Sequence, residues 1–284
     1  MHRQVSLNKR LVSAEDARLP AVTAATLYGR GVFTVIAVER GRPFLWDAHW
    51  ERLREHARRA QVECEFDGAE AREALESLIE ANGMARGRAR VQLLGRAARG
   101  QWKVRYPEGR ASDLLMMTAD ARPHGAEDAL ALTVSPHRTS TLSPLAGVKT
   151  INYLEQVLAW EEARGREFDE AVRLNERGEV VSAAMANLFW VVRGTLHTPT
   201  LQTGAVAGTT RAAVMELAAE AAVPLVEGAY TLRDMAEAEE IFLTSATHGV
   251  ALVTAFDFHR YTVPVGSIAL RLHEAYRELT LRAE

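Results

Sequence analysis

Midway along the chain, Asp120-Ala-Arg-Pro-His-Gly-Ala-Glu-Asp128 is polar and carries a proline and a glycine, the composition of a linker rather than of a strand or helix. That interruption limits what 284 residues can form, because it favours two modest units over one continuous core. It predicts an N-terminal α/β unit over residues 1–120, a linker over 121–127 and a larger C-terminal unit over 128–284. In the first, residues 32–39 are dense in β-branched side chains and read as a buried strand. After the Gly41-Arg-Pro43 turn, Trp46, Trp50, Leu53, Ala57 and Ala60 recur at helical spacing, with Asp47 as candidate N-cap. A second helix holds Ala71, Ala74, Leu75, Leu78 and Ile79 and closes on Asn82-Gly83, and strands follow at 89–94, 101–105 and 113–118. The second half predicts strands at 129–134, 169–174, 187–193, 240–244 and 250–256. Helices are expected from about Asn152 to Arg164, from Thr210, from Thr231, and through Leu272, Ala275, Tyr276 and Leu279. Strands and helices do not alternate strictly, so the expected class is α+β rather than a doubly wound parallel sheet.

Charge and hydropathy exclude several partners. The net charge of −3 and a pI near 6.3 imply no basic face for nucleic acid. The longest apolar runs, Asn187–Val192 and Ile241–Leu243, fall far short of the roughly 18–20 residues that span a bilayer. The Met-His-Arg-Gln start lacks the apolar core of a signal peptide, and the single cysteine, Cys64, makes neither an internal disulfide nor a multi-cysteine metal site. A cytoplasmic protein without a metal centre is expected.

Of 34 basic residues only Lys9, Lys103 and Lys149 are lysines. A bias toward arginine accounts for the average but not for the exceptions. Arginine cannot replace a primary amine that must lose its proton and attack a carbonyl. Lys9 sits in a polar turn and Lys103 in an alternating strand, whereas Lys149 lies in Pro-Leu-Ala-Gly-Val-Lys-Thr-Ile-Asn-Tyr-Leu with few charges nearby. Apolar surroundings lower an amine's proton affinity, as Schiff-base chemistry requires.

Two further segments suit a phosphate. Gly204-Ala-Val-Ala-Gly208-Thr-Thr-Arg211 runs a glycine-bearing loop into a helix capped by Thr209 or Thr210, and the free amides of a helix start bind anions. The same residues also fit an ordinary capped helix, and no Walker or Gly-x-Gly-x-x-Gly pattern is present. In His49-Trp-Glu-Arg52-Leu53, helical spacing puts His49, Arg52, Leu53 and His56 on one face, so an arginine points where the apolar stripe points.

These pieces fall in the order of a known group. Leu27-Tyr-Gly-Arg-Gly-Val-Phe33, Gly41 through Leu53, Ser143 through Leu154, Asp169 through Gly178, Asn187-Leu-Phe-Trp190, His197-Thr-Pro199 and Gly204 through Arg211 together resemble the class IV, or fold-type IV, pyridoxal-phosphate enzymes. That group holds branched-chain aminotransferases, D-amino-acid aminotransferases and 4-amino-4-deoxychorismate lyases. The likeness implies a two-domain fold like that of D-amino-acid aminotransferase, with pyridoxal 5′-phosphate held between the domains as a Lys149 aldimine. It implies that Arg52, Thr209 and Thr210 bind the phosphate, that Tyr153 or Asn152 lies near the phenolic oxygen, and that Phe33 and the Thr244-Ser245-Ala246 segment meet the substrate. It also implies a homodimer acting on amino and keto acids.

The departures are as informative. The acid that pairs with the ring nitrogen lies five residues before the asparagine of Asn-Leu-Phe, and here that position is Ser182. Glu179 stands three residues earlier, a spacing that reverses the face of a regular strand. The glutamate that commonly follows the aromatic of the first motif is Thr34, and Gly-Asp-Gly reads Gly29-Arg30-Gly31. Three readings follow: an aminotransferase, a lyase of the aminodeoxychorismate type, and a cofactor- or phosphate-binding protein without turnover.

Overall fold

The computed structural model describes residues 1–97, 110–121 and 129–282, and the chain divides into two units. The strand expected at 101–105, with Lys103, and linker residues 122–127 lie outside the described residues. One unit comprises Met1–Arg122 with Val148–Asn152, and the other Pro123–Gly147 with Tyr153–Ala283.

The N-terminal unit runs β1 (Gln4–Leu7), β2 (Arg10–Ser13), α1 (Ala24–Tyr28), β3 (Gly31–Glu39), β4 (Arg42–Pro43), α2 (Trp46–Arg59), α3 (Gly68–Ala81), β5 (Gly87–Gly95) and β6 (Ser112–Asp120). Its strands form an antiparallel sheet in the order β2-β1-β6-β5-β3-β4. One sheet face supplies Val32, Ile36, Val91, Leu93, Leu114 and Met116 to a core closed by Leu53 and Ala57 of α2 and by Leu75 and Leu78 of α3. Asp47 does not cap α2. The chain enters that helix through Leu45 at φ +52°, so Asp47 falls inside the first turn, where its charge meets the positive end of the helix dipole. The cap of α3 is explicit: Asp67 Oδ1 accepts the amides of Ala69 at 2.9 Å and Glu70 at 3.1 Å.

The C-terminal unit runs β7 (Leu130–Val134), α4 (Leu154–Gly165), β8 (Glu170–Leu174), β9 (Val180–Ala183), β10 (Asn187–Val192), β11 (Thr195–Pro199), α5 (Thr209–Glu220), β12 (Leu225–Gly228), β13 (Glu240–Ser245), β14 (Gly249–Phe256), β15 (His259–Arg260) and α6 (Ile268–Arg282). Its sheet order is β12-β11-β10-β13-β14-β7-β8-β9, with β15 on β14. The β11–β12, β14–β7 and β7–β8 pairs are parallel and the others antiparallel. Such mixing makes the fold α+β, as the irregular order of elements predicts. The helix expected from Thr231 is absent. Asp234 Oδ2 accepts the Thr231 amide at 2.6 Å and hydroxyl at 2.9 Å, and that local bond turns the chain while Met235 and Ala238 pack into the core. No helix of the described residues is long and apolar enough to cross a membrane.

Asp67→Ala leaves two first-turn amides of α3 without their acceptor. The expected loss is about 1 kcal/mol, read as a lower urea midpoint at unchanged slope.

Candidate active site

Lys149 is fixed by its backbone. The Phe33 amide donates to the Lys149 carbonyl at 3.0 Å, the Ile151 amide donates to the Gly31 carbonyl at 3.0 Å, and Val32 bridges Thr150. The segment therefore runs antiparallel beside the first residues of β3. A Cβ at position 31 would stand 2.8 Å from Ile151 Cδ1 and from the Leu93 carbonyl oxygen, so only glycine allows this approach. The Lys149 amide donates to His56 Nδ1 at 3.1 Å, which makes that nitrogen an acceptor and agrees with a neutral ring. Burial, with Arg52 next, pushes His56 down to about 4.

Lys149 as a residue is half-buried, but its amine end is densely enclosed. Nζ stands 4.7 Å from the centroid of the buried Phe33 ring, and the Arg90 guanidinium lies 3.7 Å from the same centroid. Burial first, then Arg52 and Arg90, pushes the amine down to about 7. Arg52 Nη2 donates to Thr34 Oγ1 at 2.8 Å, and that hydroxyl lies 2.7 Å from His49 Nδ1. Burial and then Arg52 hold His49 well below its ordinary range. A neutral His49 can accept the Thr34 proton, giving a directed chain from Arg52 through Thr34 to His49.

In the C-terminal unit, Thr209 and Thr210 open α5 as buried first-turn residues, not as its caps. The N-cap is Gly208, and no side chain caps the helix. A Cβ at Gly208 would stand 2.1 Å from Asn187 Oδ1, so the loop is kept narrow there while Asn187 Nδ2 holds the Val206 carbonyl at 2.9 Å. Thr210 Oγ1 lies 3.2 Å from the Tyr276 hydroxyl. Arg211, though adjacent, is committed to the Glu227 carboxylate and to the Pro199 carbonyl at 3.1 Å. An uncapped helix start suits a phosphate, and a neutral primary amine suits a carbonyl carbon.

Tyr153 is the half-buried N-cap of α4, while Asn152 spends its amide on the Gly29 carbonyl at 2.8 Å. Thr244 and Ser245 end β13. The buried Thr244 hydroxyl has no partner among the described residues, and Ser245 Oγ accepts the His248 amide at 3.1 Å, with Ala246 in the turn between. Ser182 lies half-buried on β9, directly opposite Arg173 of β8. Beyond that pair the register steps to Leu174–Val180, so Val181 is a bulged extra residue. The bulge corrects the expectation for Glu179, which returns to the face of Ser182. Its carboxylate is nevertheless engaged by Arg177 Nη2 at 2.6 Å and Asn175 Nδ2 at 2.7 Å.

Of the expected site residues, Phe33, Arg52 and Lys149 gather in the N-terminal unit, and Tyr153, Ser182, Thr209, Thr210 and Thr244–Ala246 belong to the other. Sequence reasoning passed over Arg90, Arg173 and Glu170. Glu170 is buried and pushed up to about 7 by burial, with Oε2 accepting the Met185 amide at 2.8 Å and Oε1 without a hydrogen-bond partner among the described residues. The available signal was a charged pair inside Glu-Ala-Val-Arg-Leu, a strand buried at every position.

The sequence pattern of the family described as "Amino-transferase class IV" matches residues 31–256. The chain belongs to that family. The aminodeoxychorismate lyase of Bacillus subtilis is 27% identical over 277 residues, covering 96% of this chain and 94% of that protein. The D-alanine aminotransferase of Listeria monocytogenes is 25% identical over 285 residues, covering 99% and 97%. Among solved structures, the branched-chain aminotransferase of the thermophilic archaeon Thermoproteus uzoniensis with norvaline superimposes with a TM-score of 0.90 at 27% identity, covering 100% of this chain and 97% of that one. Class IV enzymes thus include both transferases and lyases among the relatives of this chain, and the chain is an enzyme of this family.

A depressed amine has a stability signature. Between about 7 and its ordinary value of 10.5 the folded state binds fewer protons at Lys149 than the unfolded state, so stability rises with pH across that window. Lys149→Met in cofactor-free protein should therefore be more stable than the parent by on the order of 2–4 kcal/mol below pH 7. The gain should shrink toward zero as pH approaches 10.5 in urea titrations.

Proposed function

We propose that this chain is an amino acid aminotransferase that carries pyridoxal 5′-phosphate covalently on Lys149. One observation carries the reading: a primary amine pushed down to about 7 by burial and by two guanidinium groups, in a chain that otherwise uses arginine almost throughout. Near neutral pH such an amine is available both as a nucleophile and as a base. When bound, pyridoxal phosphate supplies an electron sink for the bond broken at the substrate's Cα. Lys149 Nζ takes a proton at that carbon and releases it again. Arg52 provides a charged, fork-shaped donor for the phosphate, and the first-turn amides of α5 with the Thr209 and Thr210 hydroxyls provide neutral ones. Tyr153 is assigned to the cofactor's phenolic oxygen and Ser182 to its ring nitrogen, with Phe33 and Thr244–Ala246 facing the substrate. The reading includes small amino and keto acids as substrates and a cytoplasmic homodimer as the working form.

One observation favours the lyase as a second reading: a neutral Ser182 stands where the resemblance expects an acid. Expelling a group from Cβ depends less on the ring's electron withdrawal than reprotonation at the cofactor does. Adding D-alanine, L-glutamate or L-leucine separates the readings. A transferase converts the bound cofactor to its amine form, and a lyase instead releases pyruvate from β-chloroalanine.

Borohydride reduction followed by peptide mapping is expected to place the pyridoxyl group on Lys149; label on Lys9 or Lys103, or none after reconstitution, overturns the cofactor assignment. Arg52→Ala should raise the cofactor dissociation constant about ten- to a hundred-fold in a folded protein, the equivalent of one charge-assisted contact. Unchanged affinity would place the phosphate elsewhere.

A further inference from the structure

Arg173 takes no part in the site described above. It lies on β8, where all residues from Glu170 to Leu174 are buried, and only 3% of it is exposed. Its Nε has no partner among the described residues. Its Nη2 stands 3.5 Å from Glu155 Oε2, whose side chain is 74% exposed and screened by water. A guanidinium drawn out of water with so weak a counter-charge calls for another acceptor. Across the sheet its direct neighbour is Ser182, on the same face, and directly opposed residues hold their Cβ atoms about 5 Å apart.

We propose that Arg173, with Ser182 beside it, is the partner of the cofactor's ring nitrogen, donating a hydrogen bond to it and keeping it unprotonated. This rests on the cofactor reading above and deepens it. A carboxylate at Ser182 would favour the protonated ring by its charge. A guanidinium does the reverse. It is not deprotonated in proteins, so the shared proton stays on arginine and the ring nitrogen keeps its lone pair. The Ser182 hydroxyl is neutral and adds no opposing charge. Of the other charged groups near this pair, Glu155 reaches in from α4, and Glu170 lies on the opposite face of β8 by strand alternation. Glu179 shares the face two rungs away but is held by Arg177 and Asn175. A buried cation opposite a position that carries no acid weakens the electron sink.

Reconstitution with pyridoxal phosphate labelled with ¹⁵N in the ring tests this by NMR, independently of turnover. In the wild-type enzyme the ring-nitrogen resonance is expected at the unprotonated position and unmoved between pH 6 and 9, roughly a window spanning neutrality. In Arg173→Met combined with Ser182→Glu it should shift upfield to the protonated position, and Ser182→Glu alone should bring a smaller shift. A protonated resonance in the wild type overturns the proposal while leaving the cofactor on Lys149. If Glu179→Gln then removes that protonation, the acid partner is Glu179. Wild-type protein that takes up no cofactor overturns both readings. Because the deciding spectrum is that of the unaltered enzyme, failure of a variant to fold does not protect the proposal.

Discussion

The backbone clamp on Lys149 is the contact on which the rest of the candidate site depends. A lysine stem is long and flexible and would ordinarily carry its charge to water. Here the residue's carbonyl is tied to Phe33 and its amide to His56, so its Cα cannot move outward with the side chain. The clamp needs Gly31 for close approach, and it needs β3 to be extended at its very first residues. It also needs α2 phased so that His49, Arg52 and His56 project toward the same region. That phase is set by the burial of Trp46, Trp50, Leu53 and Ala57, which makes the ordinary hydrophobic packing of the helix the source of the site's electrostatics.

What the sequence made legible follows from how local each signal is. Lys149 stood out because lysine is scarce and its surroundings are apolar, and both properties can be read without a structure. The long strand β3 was readable from β-branched density and strands were expected within β5 and β6 at 89–94 and 113–118, whereas β1, β2, β9 and β11 are short and of mixed character, and they form because a neighbour is there to pair with. Asp47, Thr209 and Thr210 were read as caps although each falls one or more positions inside its helix. In both helices the cap position has no side-chain bond and is taken instead by a left-handed Leu45 or by Gly208. The face of Glu179 was misjudged because a bulge is a property of the pair of strands, not of either one. Arg173 and Glu170 sat inside a recognised motif and drew no notice, since their burial on every side is decided by α4 and the sheet.

Two hydroxyls stand where the resemblance expects carboxylates, and the structure gives them a common consequence. Thr34 takes Arg52's hydrogen bond and lies against His49, so the N-terminal cluster gains no negative charge at that point. A glutamate there would raise the proton affinity of both His49 and Lys149, opposing the burial that pushes the amine down to about 7. Ser182 likewise adds no charge opposite Arg173. Each unit therefore presents positive or neutral groups at its candidate positions, a potential suited to a phosphate and to the carboxylate of an amino acid. The same potential disfavours a proton on a basic ring nitrogen. A chain built this way offers its anionic ligands a favourable potential, while burial first and the Arg52 and Arg90 charges second push its lysine down to about 7.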